Sequence, residues 1–254
     1  MLELQRVSKR YGAVTAVRDV SFSVRPCEVL GYLGPNGSGK STTMKIVAGL
    51  MPPTRGHVVL DERDVQDHLL EYKAQVGYVP EEAHVYTYLT GPEYLRLTGR
   101  LRGIGERVLE RKIDRFLKIF SLDSDYHAPL SAFSKGMRQK ILLSAALLHN
   151  PRIIVLDEPV SGLDVSTALV LRAVVRSLAA DGRIIVYSSH ELETIEKIST
   201  RVIILRAGEV VADDSAARLR DLMHAPSLED VFAQLAVEHD LNLTSDAILE
   251  AVRL

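Results

Sequence analysis

GPNGSGKST, residues 34–42, is the stretch that decides the fold. From Gly34 to Ser41 it spells G-x-x-x-x-G-K-S, a phosphate-cradling loop of the Walker A kind. Its glycines let successive backbone N–H groups turn inward around phosphate oxygens, and the helix that follows presents the positive end of its dipole to the same anion. Lys40 is placed to reach the β- and γ-phosphates, and the Ser41 hydroxyl to bind Mg²⁺. Gly34, Pro35, Asn36, Gly37, Ser38, Gly39, Lys40, Ser41 and Thr42 are therefore the expected ATP-binding run, with ATP and Mg²⁺ as cofactors.

The flanks supply the context such a loop requires. Cys27 to Leu33, rich in Val, Leu and Tyr, reads as a strand, as does Val17 to Val24, with a turn at Arg25-Pro26 between them. Downstream, Met44, Val47 and Ala48 keep helical spacing until Gly49 and Pro52-Pro53 close the helix. Further buried-strand patterns fall at Val76 to Val79, Ile153 to Leu156, Ile184 to Tyr187 and Val202 to Leu205, with helical stretches between several of them. A mostly parallel α/β core follows. From about residue 90 to 148 the strand signals give way to three helical patterns, an expected α-helical subdomain inserted in that core. One of its helices is expected over Glu106 to Phe120. Another begins at Ser134 and carries Met137, Ile141, Leu142 and Ala145 along one face. After Asp213 a short C-terminal helical extension (214–254) is expected, in which Ser227 caps a helix striped by Leu228, Val231, Phe232 and Leu235.

RIIVLDEP, residues 152–159, is the second motif that carries chemistry. Four apolar residues deliver Asp157 to the end of a buried strand, where it can hold the magnesium shell. Glu158, one residue on, can aim at a water in line with the γ-phosphate, as a general base must.

Composition narrows the remaining classes. The chain has 254 residues, 46% of them hydrophobic, enough to bury a full core. A net charge of -2 supplies no basic field for nucleic acid, so no nucleic-acid partner is expected. The longest apolar stretch, Ile141 to Leu148, is far shorter than the roughly 20 residues of a spanning helix. Glu3, Arg6, Lys9 and Arg10 deny the first residues the apolar core of a signal peptide, so a cytoplasmic location is expected. Cys27, the lone cysteine, builds no disulfide framework and reads as a buried small residue.

Between the two motifs lies FSKGMRQK, residues 133–140, which resembles the signature of ABC ATPases, usually written LSGGQ. Lys135 and Met137 replace its usual glycine and glutamine. The resemblance covers about residues 1–213, taken as the ATPase domain, and implies a P-loop core with an N-terminal antiparallel β subdomain and the inserted helical one. It implies a head-to-tail dimer in which Ser134, Lys135, Gly136 and Met137 of one subunit close over the ATP of another. Tyr11 falls where the family places an aromatic under the adenine ring. VGYVPEE resembles the loop joining core to helical subdomain, with Glu81 where glutamine is commonest, at the metal and the attacking water. Ser161, Gly162, Leu163 and Asp164 resemble the D-loop, and in VYSSHE the position of His190 matches the histidine that binds the γ-phosphate.

What the resemblance implies is an ATPase subunit, peripheral on the cytoplasmic face of the membrane, energising a separate integral-membrane permease. Type-two exporters are the most similar group, on GPNGSGKSTTMKIVAGL, GYVPEE and SLEDVFAQL. In related transporters a groove between core and helical subdomain grips the permease, and Val85, Tyr86, Tyr88, Leu89 and Tyr94 are the expected contact surface. Soluble ABC proteins that act on nucleic acid or ribosomes are the alternative, although their usual second cassette and basic extensions are not visible. A non-hydrolytic dimerising module is a third possibility.

Overall fold

A computed structural model describes residues 1–160 and 162–236; Ser161 and the end of the expected C-terminal extension lie outside the described residues. Two sheets face each other across a shared core. The first is antiparallel, in the order β2-β1-β4-β5, from β1 (Leu2–Tyr11), β2 (Val14–Val24), β4 (Arg55–Leu60) and β5 (Arg63–Asp64). The second runs β10-β9-β3-β8-β7-β6, from β3 (Val29–Leu33), β6 (Val76–Val79), β7 (Ile153–Asp157), β8 (Ile184–Ser188), β9 (Arg201–Arg206) and β10 (Glu209–Asp214). Its first five neighbours beyond β10 pair in parallel; β10 returns antiparallel to β9.

Alternation along the parallel strands divides the interior into two layers. Ile153 and Val155 of β7 face one core together with β1, β2 and α1 (Lys40–Val47). Ile154 and Leu156 face the other, covered by α6 (Val165–Ala180), α7 (Leu192–Ile198), α8 (Ala216–Met223) and α9 (Leu228–Ala236). This two-sided burial is why these strands are apolar runs rather than alternating ones. Leu228 and Val231 are fully buried there, and Ser227 caps α9 as its sequence implies, its hydroxyl accepting from the Asp230 amide at 3.1 Å.

A third core belongs to the helical insert, which follows the short α2 (Leu69–Ala74) and β6 and runs from Thr90, the N-cap of α3 (Gly91–Leu101), through α4 (Glu106–Ile119) to α5 (Lys135–Leu147). Thr90 and Glu93 cap α3 reciprocally, and Leu109, Ile113 and Leu117 give α4 a one-sided buried stripe. Each such side chain contributes about 1.5–3 kcal/mol of burial. The single face expected for α5 is corrected: Ile141 and Ala145 enter the insert's core while Leu142, Leu143 and Ala146 enter the second core of the α/β body. This helix is buried on two sides because it joins two cores.

Cys27 is also corrected. It is exposed at φ +68, the third residue of a turn in which the Glu28 amide donates to the Arg25 carbonyl at 3.1 Å. Pro26 before it fits the second position of a turn whose next residue needs positive φ, normally glycine.

Candidate functional site

Carboxyl ends of parallel strands are where α/β folds bind ligands, and here the ends of β3, β6, β7 and β8 converge. β3 leads into the 34–41 loop. Gly37 and Gly39 hold φ +79 and +102, and a Cβ on Gly39 would lie 2.3 Å from the Ala16 carbonyl oxygen, so only glycine lets β2 close against the loop. The Gly208 amide, in the β9–β10 turn, donates to the Ser38 carbonyl at 3.0 Å and pins the loop from the other side. A cleft of about 380 Å³ opens over it, lined by Asn36, Gly37, Gly39, Lys40, Ser41, Thr42, Ala16, Glu81 and Glu158.

Lys40 is buried at the first position of α1, its ammonium donating to the carbonyl oxygens of Gly34 (2.6 Å) and Pro35 (3.2 Å). Burial pulls its pKa down, against the opposing charges of Glu158, Asp157 and Glu81. Asp157 ends β7 nearly inaccessible. Burial raises its pKa, while hydrogen bonds from Ser188, at 2.6 Å, and from Ser41 lower it. Glu158 follows at φ +48, a strained conformation for a residue with a side chain, and its amide donates to the Ser188 hydroxyl at 3.2 Å. His190 Nδ1 lies 2.7 Å from Glu158 Oε2, with the histidine side chain largely exposed and the glutamate buried.

Magnesium prefers a few hard oxygen donors plus substrate phosphates to an all-protein cage. The Ser41 hydroxyl and Asp157 carboxylate are adjacent, and the hydroxyl of Tyr78, on the same side of the sheet, is sealed from solvent without a hydrogen-bond partner among the described residues. The residues present fit a hydrated divalent cation.

The other expected site residues lie apart from this cleft. Tyr11 closes the β1–β2 hairpin, half exposed, with Lys9 Nζ 5.6 Å from its ring centroid and its hydroxyl 2.9 Å from Met51 Sδ; it does not line the cleft. Ser134 is the N-cap of α5, accepting from the Met137 amide at 3.2 Å, and is exposed. Gly136 packs so closely on the 162–164 segment that a Cβ would lie 2.5 Å from the Gly162 carbonyl oxygen. The Lys135 stem covers Gly162, and Leu163 leads to Asp164, which caps α6 by accepting from the Thr167 amide at 2.9 Å. That bonding holds the Asp164 carboxyl well below the usual range. Ser188 and Tyr78 escaped the sequence reading; the polar Ser188-Ser189 pair ending an apolar strand was the available signal for the first.

A glycine cradle at a helix start, a buried lysine, a strand-end Asp-Glu pair and a histidine from the next strand define the class: a P-loop ATPase with an inserted helical subdomain. Residues 17–161 match the ABC transporter family model. The chain is 32% identical over 237 residues to the ABC transporter ATP-binding protein NatA of Bacillus subtilis, covering 91% of this chain and 96% of that one. It is 30% identical to the Nod factor export ATP-binding protein I of Cupriavidus pinatubonensis, over 87% and 68% of the two chains. It also superposes on a dimeric ATP-binding cassette solved in a post-hydrolysis state with ADP and Pi, with a TM-score of 0.78, 26% identity and coverage of 85% and 98%. The chain belongs to the ABC transporter family, as an ATP-binding, ATP-hydrolysing subunit.

Proposed function

We propose that this subunit energises export through a separate integral-membrane permease, working as a head-to-tail dimer on the cytoplasmic face of the membrane. The observation that carries the ATPase half of this reading is the convergence of Lys40, Ser41, Asp157, Glu158 and His190 on one phosphate loop, with the Ser134 helix start outside the cleft. A second copy supplies the missing cap: the Ser134 end of α5, with the positive end of its dipole, closes over the other subunit's nucleotide.

Within a pocket so closed, Lys40 exchanges the Gly34 and Pro35 carbonyls for β- and γ-phosphate oxygens. Ser41 and Asp157 would hold Mg²⁺, with Glu81 adding negative charge nearby, and the cation would supply charge neutralisation at the phosphates. Glu158 accepts the proton of the attacking water, and His190 steadies that carboxylate and stabilises charge on the γ-phosphate. Tyr11 stacks on the base after the hairpin closes inward, and the segment from Gly162 to Asp164 reaches the partner's pocket.

Export is supported by the export role in the name of the Nod factor relative and by the SLEDVFAQL helix. The permease contact is supported by Tyr86 and Tyr88, 54% and 76% exposed, which cluster with each other (6.0 Å between centroids), while Tyr94 (6.4 Å from Tyr86) anchors them to the insert. Among the described residues no helix is long and apolar enough to cross a membrane. Pull-down from detergent-solubilised membranes tests the reading. A polytopic membrane protein recovered with the wild type, and lost with Tyr86→Ala/Tyr88→Ala, is expected; recovery with ribosomes or nucleic acid instead would overturn it.

A further inference from the structure

Tyr78 sits on β6, opposite Val155 of β7 and on the same side of the sheet, so it is two residues back along the strand pair from Asp157. Its ring packs against the core between the sheets and walls a surface groove with Leu50, Leu70 and Leu101. Packing on that face fixes where the hydroxyl ends. The Tyr78 hydroxyl, like that of Tyr187, has no solvent exposure and no hydrogen-bond partner among the described residues, and the charges of Asp157 and Glu81 both act on the Tyr78 hydroxyl.

A buried phenol left unbonded costs free energy that a phenylalanine would avoid. The position is explained if the missing partner arrives with the ligand. Hydrated Mg²⁺ keeps several of its waters when protein oxygens and phosphates bind it, and such a water, its oxygen committed to the metal, has one hydrogen to donate to Asp157 and another to donate to the phenol oxygen. We propose that Tyr78 is a positioning residue of the cation site, its hydroxyl hydrogen-bonding a water of the divalent cation's shell alongside Asp157. This rests on the assignment of Asp157 to that cation.

The probe is Mn²⁺, titrated by electron paramagnetic resonance into the full chain with a non-hydrolysable ATP analogue. Analogue affinity is measured separately with chelator present. Tyr78→Phe removes the oxygen and keeps the ring. It is expected to weaken Mn²⁺ binding about ten-fold, as loss of an outer partner of a metal site does, with metal-free nucleotide affinity and melting temperature not lowered. Asp157→Asn serves as the control and is expected to abolish the Mn²⁺ signal. If Asp157→Asn abolishes it and Tyr78→Phe leaves it intact, the role given to Tyr78 is wrong and the cation site survives. If Tyr78→Phe weakens metal-free nucleotide binding equally, the hydroxyl supports the fold generally and the proposal also fails. Unchanged binding in Asp157→Asn would remove the cation site itself and the proposal with it.

Discussion

Glu158 and His190, from the ends of neighbouring strands, meet at 2.7 Å, the buried carboxylate facing the exposed imidazole. A base held in one rotamer by its neighbour is positioned before substrate arrives. Glu158→Gln keeps shape and removes the acceptor, so turnover should fall at least about 100-fold with ATP affinity retained. His190→Ala should lower kcat to a similar degree. Steady-state kinetics beside equilibrium nucleotide binding check both, and turnover near wild type in Glu158→Gln would remove that residue as the base.

His190 is itself held from behind. Arg172 on α6 donates to the Thr194 hydroxyl, which donates to Glu191 at 2.8 Å, and the Glu191 amide donates to the Ser189 hydroxyl at 3.0 Å. Arg172→Ala should let the 189–191 segment shift and reduce kcat about ten-fold with ATP affinity unchanged. Partial recovery in Arg172→Lys, which keeps the charge, distinguishes this positioning from a general loss of packing.

Gly136 offers a structural test. A methyl group there meets backbone, the Gly162 carbonyl oxygen at 2.5 Å, so Gly136→Ala must push the start of α5 off the turn before α6. The expected cost is about 1–3 kcal/mol in urea unfolding. Gly103→Ala, where φ is +71 but nothing approaches, should cost only the backbone strain.

Much of this architecture was legible in the sequence, and the part that was not has a local cause. Strands β3, β6, β7, β8 and β9 are apolar runs because both faces are covered, and they read directly. β1 did not: Leu2 and Leu4 alternate, then the register shifts before Val7, with Arg6 at φ +50. Gly56 of β4 sits against that bulge, where a Cβ would lie 2.3 Å from the Arg6 carbonyl oxygen. A bulge erases the period of two on which strand reading depends. The Lys40, Asp157, Glu158 and His190 grouping was legible because each follows or ends a recognisable strand. Ser188 and Tyr78 were hidden, since their importance lies in what they face across the sheet.

His149 links stability to acid. Burial first, then the charges of Arg102 and Lys112, lower its pKa to about 4, and its Nε2 lies 3.0 Å from the Val76 carbonyl oxygen. With the folded pKa below the unfolded value of about 6.5, the unfolded chain takes up a proton that the folded one refuses. Stability is therefore fully present above about pH 6.5 and lost as pH falls towards about 4. Urea unfolding at pH 7 and pH 5 should show a smaller loss for His149→Gln than for the wild type.

The composite pocket is tested most directly by mixing two inactive variants, Lys40→Ala, which cannot hold the phosphates, and Ser134→Arg, which cannot cap them. Each alone should hydrolyse no ATP. An equimolar mixture should regain about a quarter of wild-type activity, because half the dimers pair one copy of each and carry one complete pocket. No recovery on mixing, with wild-type specific activity constant down to concentrations at which only the monomer exists, would contradict the account.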